Sequence, residues 1–151
     1  MIAPDVNVLL YAFRADSQRH IEYRTWLESV LNGTQGVIVF EPVQAAVLRI
    51  ATHPGIYRTP SPRIQIEDFL RTALNAPAAR ALRALDHHWS IFLEVCRRAD
   101  CRGNLIQDAY LAALALEHGC VWITADRDFA RFPGLSWKHP LDHTEVIHNP
   151  N

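Results

Sequence analysis

Four aspartates in apolar surroundings are the residues of this chain best suited to chemistry: Asp5, Asp108, Asp126 and Asp128. Burying a carboxylate is costly unless the group is paired, hydrogen-bonded or bound to a cation. Carboxylates that converge without a cation between them require a divalent metal ion, and oxygen-rich sites select Mg²⁺ or Mn²⁺. The first question is whether the predicted fold brings these aspartates together.

The order of elements predicts an α/β fold, a three-layer α/β/α sandwich with a central parallel sheet. Short strands are predicted at 1–4, 37–40, 81–85, 121–124 and 135–137. They alternate with helices predicted at 6–13, from Ser17 to Gly33, at 42–52, at 65–74, from Asp86, and at 105–118. Alternation of this kind implies parallel strands joined by right-handed crossovers. We expect one domain over residues 1–140, followed by a loose polar tail over residues 141–151.

The aspartates fall where such a sheet binds ligands. Open parallel sheets bind ligands beyond the carboxyl ends of their strands, and Asp5, Asp126 and Asp128 each follow a predicted strand. Asp108 lies early in a helix and shares a face with Leu105 and with other apolar residues. Each aspartate alone also has a simpler interpretation: Asp5, Asp126 and Asp128 suit caps or turns, and Asp108 suits a helix N-terminus.

Three polar residues accompany the aspartates. Asn7 is suited to orienting a carboxylate or to binding substrate. A role in a turn or helix cap is the alternative. Thr124, at a strand end, is suited to donating a hydrogen bond to substrate or to Asp126. Arg49, after the second strand, is suited to contacting phosphate, although a solvated helix face is the more usual place for such a residue.

Composition restricts the class of protein. The chain has 151 residues and a net charge of −1, which gives no general basic field for nucleic acid. No apolar run approaches the roughly 20 residues that span a bilayer, and no signal peptide is recognisable. Three cysteines without a framework pattern favour reduced thiols and a cytoplasmic setting. The eight histidines lack metal-ligand spacing, and no glycine-rich phosphate loop is present.

Three motifs in order resemble those of PIN-domain ribonucleases, and in particular the VapC-type toxins of bacterial toxin–antitoxin systems. They are Asp5-x-Asn7, then Gly103-Asn104-Leu105-x-x-Asp108, then Thr124-x-Asp126-x-Asp128-Phe129. The stretches 48–54 and 126–135 match one branch of that group, and the resemblance covers almost the whole chain. Each motif is weak by itself, whereas their order and spacing together are specific.

The resemblance implies a Mg²⁺- or Mn²⁺-dependent endoribonuclease that cleaves RNA with a metal-activated water. It also implies a homodimer, and a VapB-type antitoxin whose tail covers the site. Asp5 and Asp108 match the principal metal ligands, Asp126 the third acid, and Asp128 an additional acid near the site. The family commonly adds a glutamate in the helix after the second strand. This chain reads Gln44-Ala45-Ala46 there, and Glu41 is the nearby acid that would substitute.

Three other classes of protein share parts of this sequence pattern. A haloacid-dehalogenase-type phosphatase would need an acid where this chain has Asn7. A phospho-accepting receiver domain would need a lysine closer to the last acids than Lys138, the only lysine in the chain. A PIN-like module that binds RNA or protein without cleaving is the third alternative, and the missing helix glutamate favours it.

Overall fold

A computed structural model describes residues 1–142 and 145–151 of the chain. Six strands form one sheet in the order β3-β2-β1-β4-β5-β6. The strands are β1 (Ile2–Pro4), β2 (Val37–Phe40), β3 (Ala79–Leu82), β4 (Val121–Ile123), β5 (Ser136–Lys138) and β6 (Ile147–His148). The helices are α1 (Val6–Phe13), α2 (His20–Leu31), α3 (Glu41–Ala51), α4 (Arg63–Leu74), α5 (His88–Arg98) and α6 (Leu105–Glu117), and a short 3₁₀ helix covers Arg127–Arg131.

Strands β1 to β5 are parallel, and helices cover both faces of the sheet. The chain steps from β1 to β2 to β3 in one direction and then returns to place β4 on the other side of β1. Right-handed crossovers therefore put α1 to α4 on one face and α5 and α6 on the other. The central strands β1 and β2 are buried along their whole length, as expected for a sheet covered on both faces. The predicted three-layer α/β/α sandwich is confirmed.

The C-terminal segment differs from the expected loose tail. Strand β6 pairs antiparallel with β5, so the sheet is parallel except at this edge. Asn149 is buried, and its side-chain amide donates to the carbonyl oxygens of Phe129 and Phe132 at 2.9 and 2.8 Å. The carboxamide oxygen of Asn149 accepts a hydrogen bond from Trp137 Nε1 at 3.1 Å. Residues 147–149 therefore belong to the packed domain. Residues 143 and 144 of the expected tail lie outside the described residues.

Several element boundaries also differ from prediction, among them the starts of α2, α4, α5 and β3. Helix α2 begins at His20, because Arg19 adopts a left-handed conformation with φ of 56° and precedes the first helical residue. Ser17 therefore lies in the preceding turn and does not cap the helix. Strand β3 begins at Ala79, two residues before the predicted start, in register with Val37 of β2. Within the described residues, no helix is long and apolar enough to cross a membrane.

Candidate active site

The carboxyl ends of β1 and β4 lie side by side and bring the first and last acidic motifs together. Pro4 is paired with Ile123, and the backbone N–H of Asp5 donates to the carbonyl oxygen of Ile123 at 2.8 Å. Asp5 and Thr124, which are 119 positions apart in the chain, therefore follow directly from neighbouring strands. The sheet topology alone thus places two of the predicted motifs at one edge.

Asp5 is held in a fixed orientation by three hydrogen bonds. Its side chain is buried, with 4% of the residue exposed. Oδ1 accepts from the backbone N–H of Val6 at 2.6 Å, which caps helix α1. Oδ2 accepts from Asn7 Nδ2 at 2.8 Å and from the Thr124 hydroxyl at 2.6 Å. Asp5 thus satisfies the capping interpretation and still lies among the other acids.

Thr124 and Asn7 connect Asp5 with the loop that carries Asp126. The Thr124 hydroxyl donates to Asp5, not to the side chain of Asp126, and it accepts from the backbone N–H of Asp126 at 3.0 Å. This direction corrects the expectation that Thr124 would donate to Asp126. Asn7 Oδ1 accepts from the backbone N–H of Ala125 at 3.3 Å. Asn7 therefore orients Asp5 and fixes the loop after β4.

A cavity of about 220 Å³ brings most of the predicted residues together. Its polar lining comes from five elements or loops and consists of Asp5, Asn7, Arg49, Gln107, Asp108 and Asp126. Asp108 is half-buried in the first turn of α6. Gln107 was not predicted to line a site, because an exposed glutamine early in a helix carries no signal in the sequence beyond its position before Asp108.

Burial and mutual repulsion raise the pKa values of two of these acids. Desolvation is the largest cause for Asp5 and raises its pKa to about 6, although the hydrogen bonds from Thr124 and Val6 lower it. The charges of Asp108 and Asp126 add to the increase. Desolvation also raises the pKa of Asp108, followed by the charges of Asp126 and Asp128. Raised pKa values in a shared cavity mark a cluster of like charges that a bound cation would relieve.

Asp128 and Glu41 do not line the cavity. Asp128 is exposed, and its backbone N–H donates to Asp126 Oδ1 at 2.8 Å, so Asp126 caps the 3₁₀ helix. The charge of Asp128 nevertheless raises the pKa of Asp108, which indicates an electrostatic contribution to the site. Glu41 is the exposed first residue of α3. The residues that α3 presents to the cavity are Ala46, Arg49 and Ile50, none of which is acidic.

The donor set fits a divalent ion that keeps part of its water shell. Among residues 1–142 and 145–151, no three His, Cys, Asp or Glu side chains form a ready-made metal cage. Mg²⁺ commonly binds through one or two carboxylates and retains several waters. Asp5 and Asp108 are the carboxylates whose pKa values show the strongest need for a counter-charge. They would hold such an ion, with Asp126 close enough to act on both.

Replacing Thr124 by valine tests the role of this hydroxyl. Valine keeps the shape of the side chain but removes the hydrogen bond that lowers the pKa of Asp5. We expect the pKa of Asp5 to rise above about 6 in Thr124→Val, measured by NMR titration of the carboxyl carbon. Thr124→Ser keeps a hydroxyl and should restore the wild-type value. An unchanged Asp5 pKa in a folded Thr124→Val protein would contradict this role.

Comparison with known proteins agrees with this geometry. The model of the PIN domain family matches residues 2–135. The chain belongs to the PIN domain family. The VapC ribonuclease Mb2897 of Mycobacterium bovis is 41% identical over 142 residues, which cover 94% of this chain and 97% of that protein. At the level of sequence, this PIN domain is therefore similar to a VapC ribonuclease.

Solved structures show the same fold. VapBC2 from Rickettsia felis, bound to a DNA fragment from its promoter, contains a chain with a TM-score of 0.68 and 18% identity. The match covers 92% of this chain and 98% of that one. A toxin–antitoxin complex from Klebsiella pneumoniae matches with a TM-score of 0.62 and 17% identity, over 94% of this chain and 99% of that one. At these identities the likeness concerns the fold of the PIN domain alone.

Proposed function

We propose that this PIN domain is a Mg²⁺- or Mn²⁺-dependent endoribonuclease, the toxin of a VapBC-type pair. The observation that carries the proposal is the convergence of Asp5, Asp108 and Asp126 on one cavity from three separate parts of the chain. Burial raises the pKa values of Asp5 and Asp108, and the charges of neighbouring acids raise them further. The sequence relative named above is a VapC ribonuclease, which supports RNA as the substrate.

Each residue of the site would have a separate role in phosphodiester hydrolysis. Asp5 and Asp108 would hold the divalent ion, and Asp126 would contribute directly or through water. When bound, such an ion lowers the pKa of a water molecule that acts as nucleophile, and it neutralises charge on the attacked phosphate. Asn7 and Thr124 keep Asp5 in position through their hydrogen bonds. Arg49 would contact the phosphate, and Asp128 would supply negative charge near Asp108.

The decisive experiment compares cleavage of single-stranded RNA with and without EDTA. We expect the purified protein to cut RNA in millimolar Mg²⁺ or Mn²⁺ and to stop when EDTA removes the ion. The alternative function, an RNA- or protein-binding module without cleavage, is favoured by the lack of an acid among the residues that α3 presents to the cavity. Binding of RNA without any cleavage in either ion would support that alternative, and cleavage that persists in EDTA would contradict the metal mechanism.

The proposed partners are a VapB-type antitoxin and a second copy of the chain. The Klebsiella pneumoniae neighbour is a toxin–antitoxin complex, which supports an antitoxin as a partner. We expect a small reading frame next to the gene of this protein, and co-expression of its product should relieve growth arrest and suppress RNA cleavage. Light scattering on the purified protein tests the homodimer separately, since a monomeric mass would contradict the dimer alone.

Metal affinity is expected to depend on pH because Asp5 must lose its proton to bind a cation. Its pKa is raised to about 6 in the folded protein without metal. Above this pH the carboxylate is ionised and available. Below it, a proton competes with the ion, so the affinity for Mn²⁺ should fall about tenfold per pH unit for one displaced proton. Calorimetric titrations at pH 5 and pH 7.5 check this, and equal affinities at both values would contradict it.

A further inference from the structure

The face of helix α3 that meets the acids is uncharged except for one arginine. Ala46, with 8% of its surface exposed, lies where an acidic side chain on α3 would enter the cavity. Arg49, one turn later, lines the same cavity and is otherwise exposed. Its guanidinium makes no hydrogen bond or ion pair with any residue that the structure describes.

We propose that this site binds a single divalent ion and that Arg49 supplies the second positive charge that the RNA phosphate requires. The inference rests on the proposed ribonuclease function and goes further, because it assigns the number of ions and the residue that takes the place of another ion. Its basis is the count of carboxylate oxygens that remain free in the cavity, together with the position of Arg49.

Asp5 has little capacity left for bridging two ions. An ionised carboxylate offers about four lone-pair sites. Val6, Asn7 and Thr124 already donate to three of them. One lone pair therefore remains, which is sufficient for one ion. A site for two ions about 3.5–4 Å apart needs carboxylates that can reach both.

The other acids near the cavity do not supply the carboxylates that a second ion would need. Asp126 uses Oδ1 to cap the 3₁₀ helix through Asp128 N–H, so its Oδ2 is the oxygen left to act as a single further ligand. Neither Asp128 nor Glu41 lines the cavity. Asp108 therefore remains as the one lining carboxylate whose oxygens accept no hydrogen bond within the described part of the chain. One ion held by Asp5 and Asp108, with Asp126 Oδ2 as a further ligand, uses these oxygens, and no residue that α3 presents to the cavity adds a carboxylate for a second ion.

Arg49 has the properties of a phosphate contact. A guanidinium is always charged and presents a planar fork that matches two phosphate oxygens. The arginine lies in the cavity with Asp5, Asp108 and Asp126, yet it is not committed to any of them by an ion pair. The guanidinium of Arg49 is therefore available to bind a substrate phosphate beside the metal site. There it adds the positive charge that a second ion would otherwise supply.

The number of bound ions tests the proposal directly. Calorimetry and EPR with Mn²⁺ on the intact protein should give one ion per chain. Ala46→Glu adds a carboxylate to the cavity and should raise the number to two. Ala45→Glu adds the same charge at the exposed neighbouring position on α3 and should leave the number at one. Two ions in the wild-type protein would overturn the inference. No bound ion in a folded protein would instead overturn the proposed function.

RNA binding tests the role of Arg49 without any cleavage. In EDTA, Arg49→Ala should bind a single-stranded oligonucleotide at least about tenfold more weakly, with a salt dependence reduced by about 0.7 for one lost phosphate contact. Arg49→Lys should recover part of the affinity, while Arg80→Ala, at an exposed position on β3, should match the wild type. The number of bound Mn²⁺ ions should stay at one in Arg49→Ala. Wild-type affinity and salt dependence in Arg49→Ala would overturn the arginine's role.

Discussion

Asp108→Asn is expected to reduce RNA cleavage at least about 100-fold and at the same time to stabilise the metal-free protein. Asparagine keeps the size of the side chain but cannot supply a carboxylate to the ion. Metal ions stabilise the transition state by several kcal/mol, and each 1.4 kcal/mol corresponds to a factor of ten in rate. Asp108 lies in the cavity without a capping role, so the substitution changes chemistry and leaves the helix intact.

The gain in stability has a defined sign and pH range. Burial and the charges of Asp126 and Asp128 raise the pKa of Asp108 in the folded state above its ordinary value of 3.8. The folded state therefore disfavours the ionised form. The free energy of unfolding of the wild-type protein is lowered at pH values where Asp108 is charged. The free energy of unfolding of Asp108→Asn should exceed that of the wild type at pH 7.5. The two should converge below about pH 3.8, where Asp108 is protonated in both states.

Urea denaturation in EDTA at the two pH values and an RNA cleavage assay in Mn²⁺ check these results. Asp86→Asn provides a matched control, because Asp86 is an exposed acid in the loop between β3 and α5. This control should keep both the activity and the stability of the wild type. Wild-type cleavage by a pure Asp108→Asn sample would contradict the assignment of Asp108 as a metal ligand.

Millimolar Mg²⁺ or Mn²⁺ is expected to raise the melting temperature of the wild-type protein by about 5–10 °C. An ion at 100 times its dissociation constant stabilises the folded state by about 2.7 kcal/mol. For a domain of this size, 1 kcal/mol shifts the melting temperature by roughly 2–4 °C. The source of this stabilisation is relief of repulsion between Asp5, Asp108 and Asp126.

Differential scanning fluorimetry over a range of ion concentrations measures the shift. EDTA should reverse the rise in melting temperature. In Asp108→Asn, most of this rise should be lost. At pH 5 the shift in the wild-type protein should be smaller, since the pKa of Asp5 is about 6 and a proton then occupies the carboxylate. A well-folded sample whose melting temperature does not respond to either ion at pH 7.5 would contradict the site.

The main layout of the fold and of the site follows from local patterns in the sequence. Asp5 and Asp126 could be placed because strand ends in parallel sheets share one edge. Asp108 could be placed because helical spacing put it on an apolar face. These patterns depend on period and order only, and the structure brings all three acids to the cavity.

Other features depend on three-dimensional packing and could not be predicted. Strand β6 has two residues, and its pairing depends on β5 and on the buried amide of Asn149. The Thr124 hydroxyl lay within reach of two acids, and the local backbone decided that it donates to Asp5. The sequence showed that residues 44–46, in the helix after β2, include no acid. It did not show that Ala46 is the position facing the cavity.

The pairing of β1 with β4 has a consequence for how the protein is made on the ribosome. Asp5 leaves the exit tunnel early, whereas Ile123 and Thr124, which fix its orientation, are among the later residues to be synthesised. Asn149 is synthesised later still, and its side-chain amide donates to the carbonyl oxygens of Phe129 and Phe132, in and directly after the 3₁₀ helix that follows Asp126. A growing chain therefore has no assembled set of acids until most of it has emerged. The order of synthesis would therefore delay the proposed ribonuclease activity until translation of the chain is nearly complete.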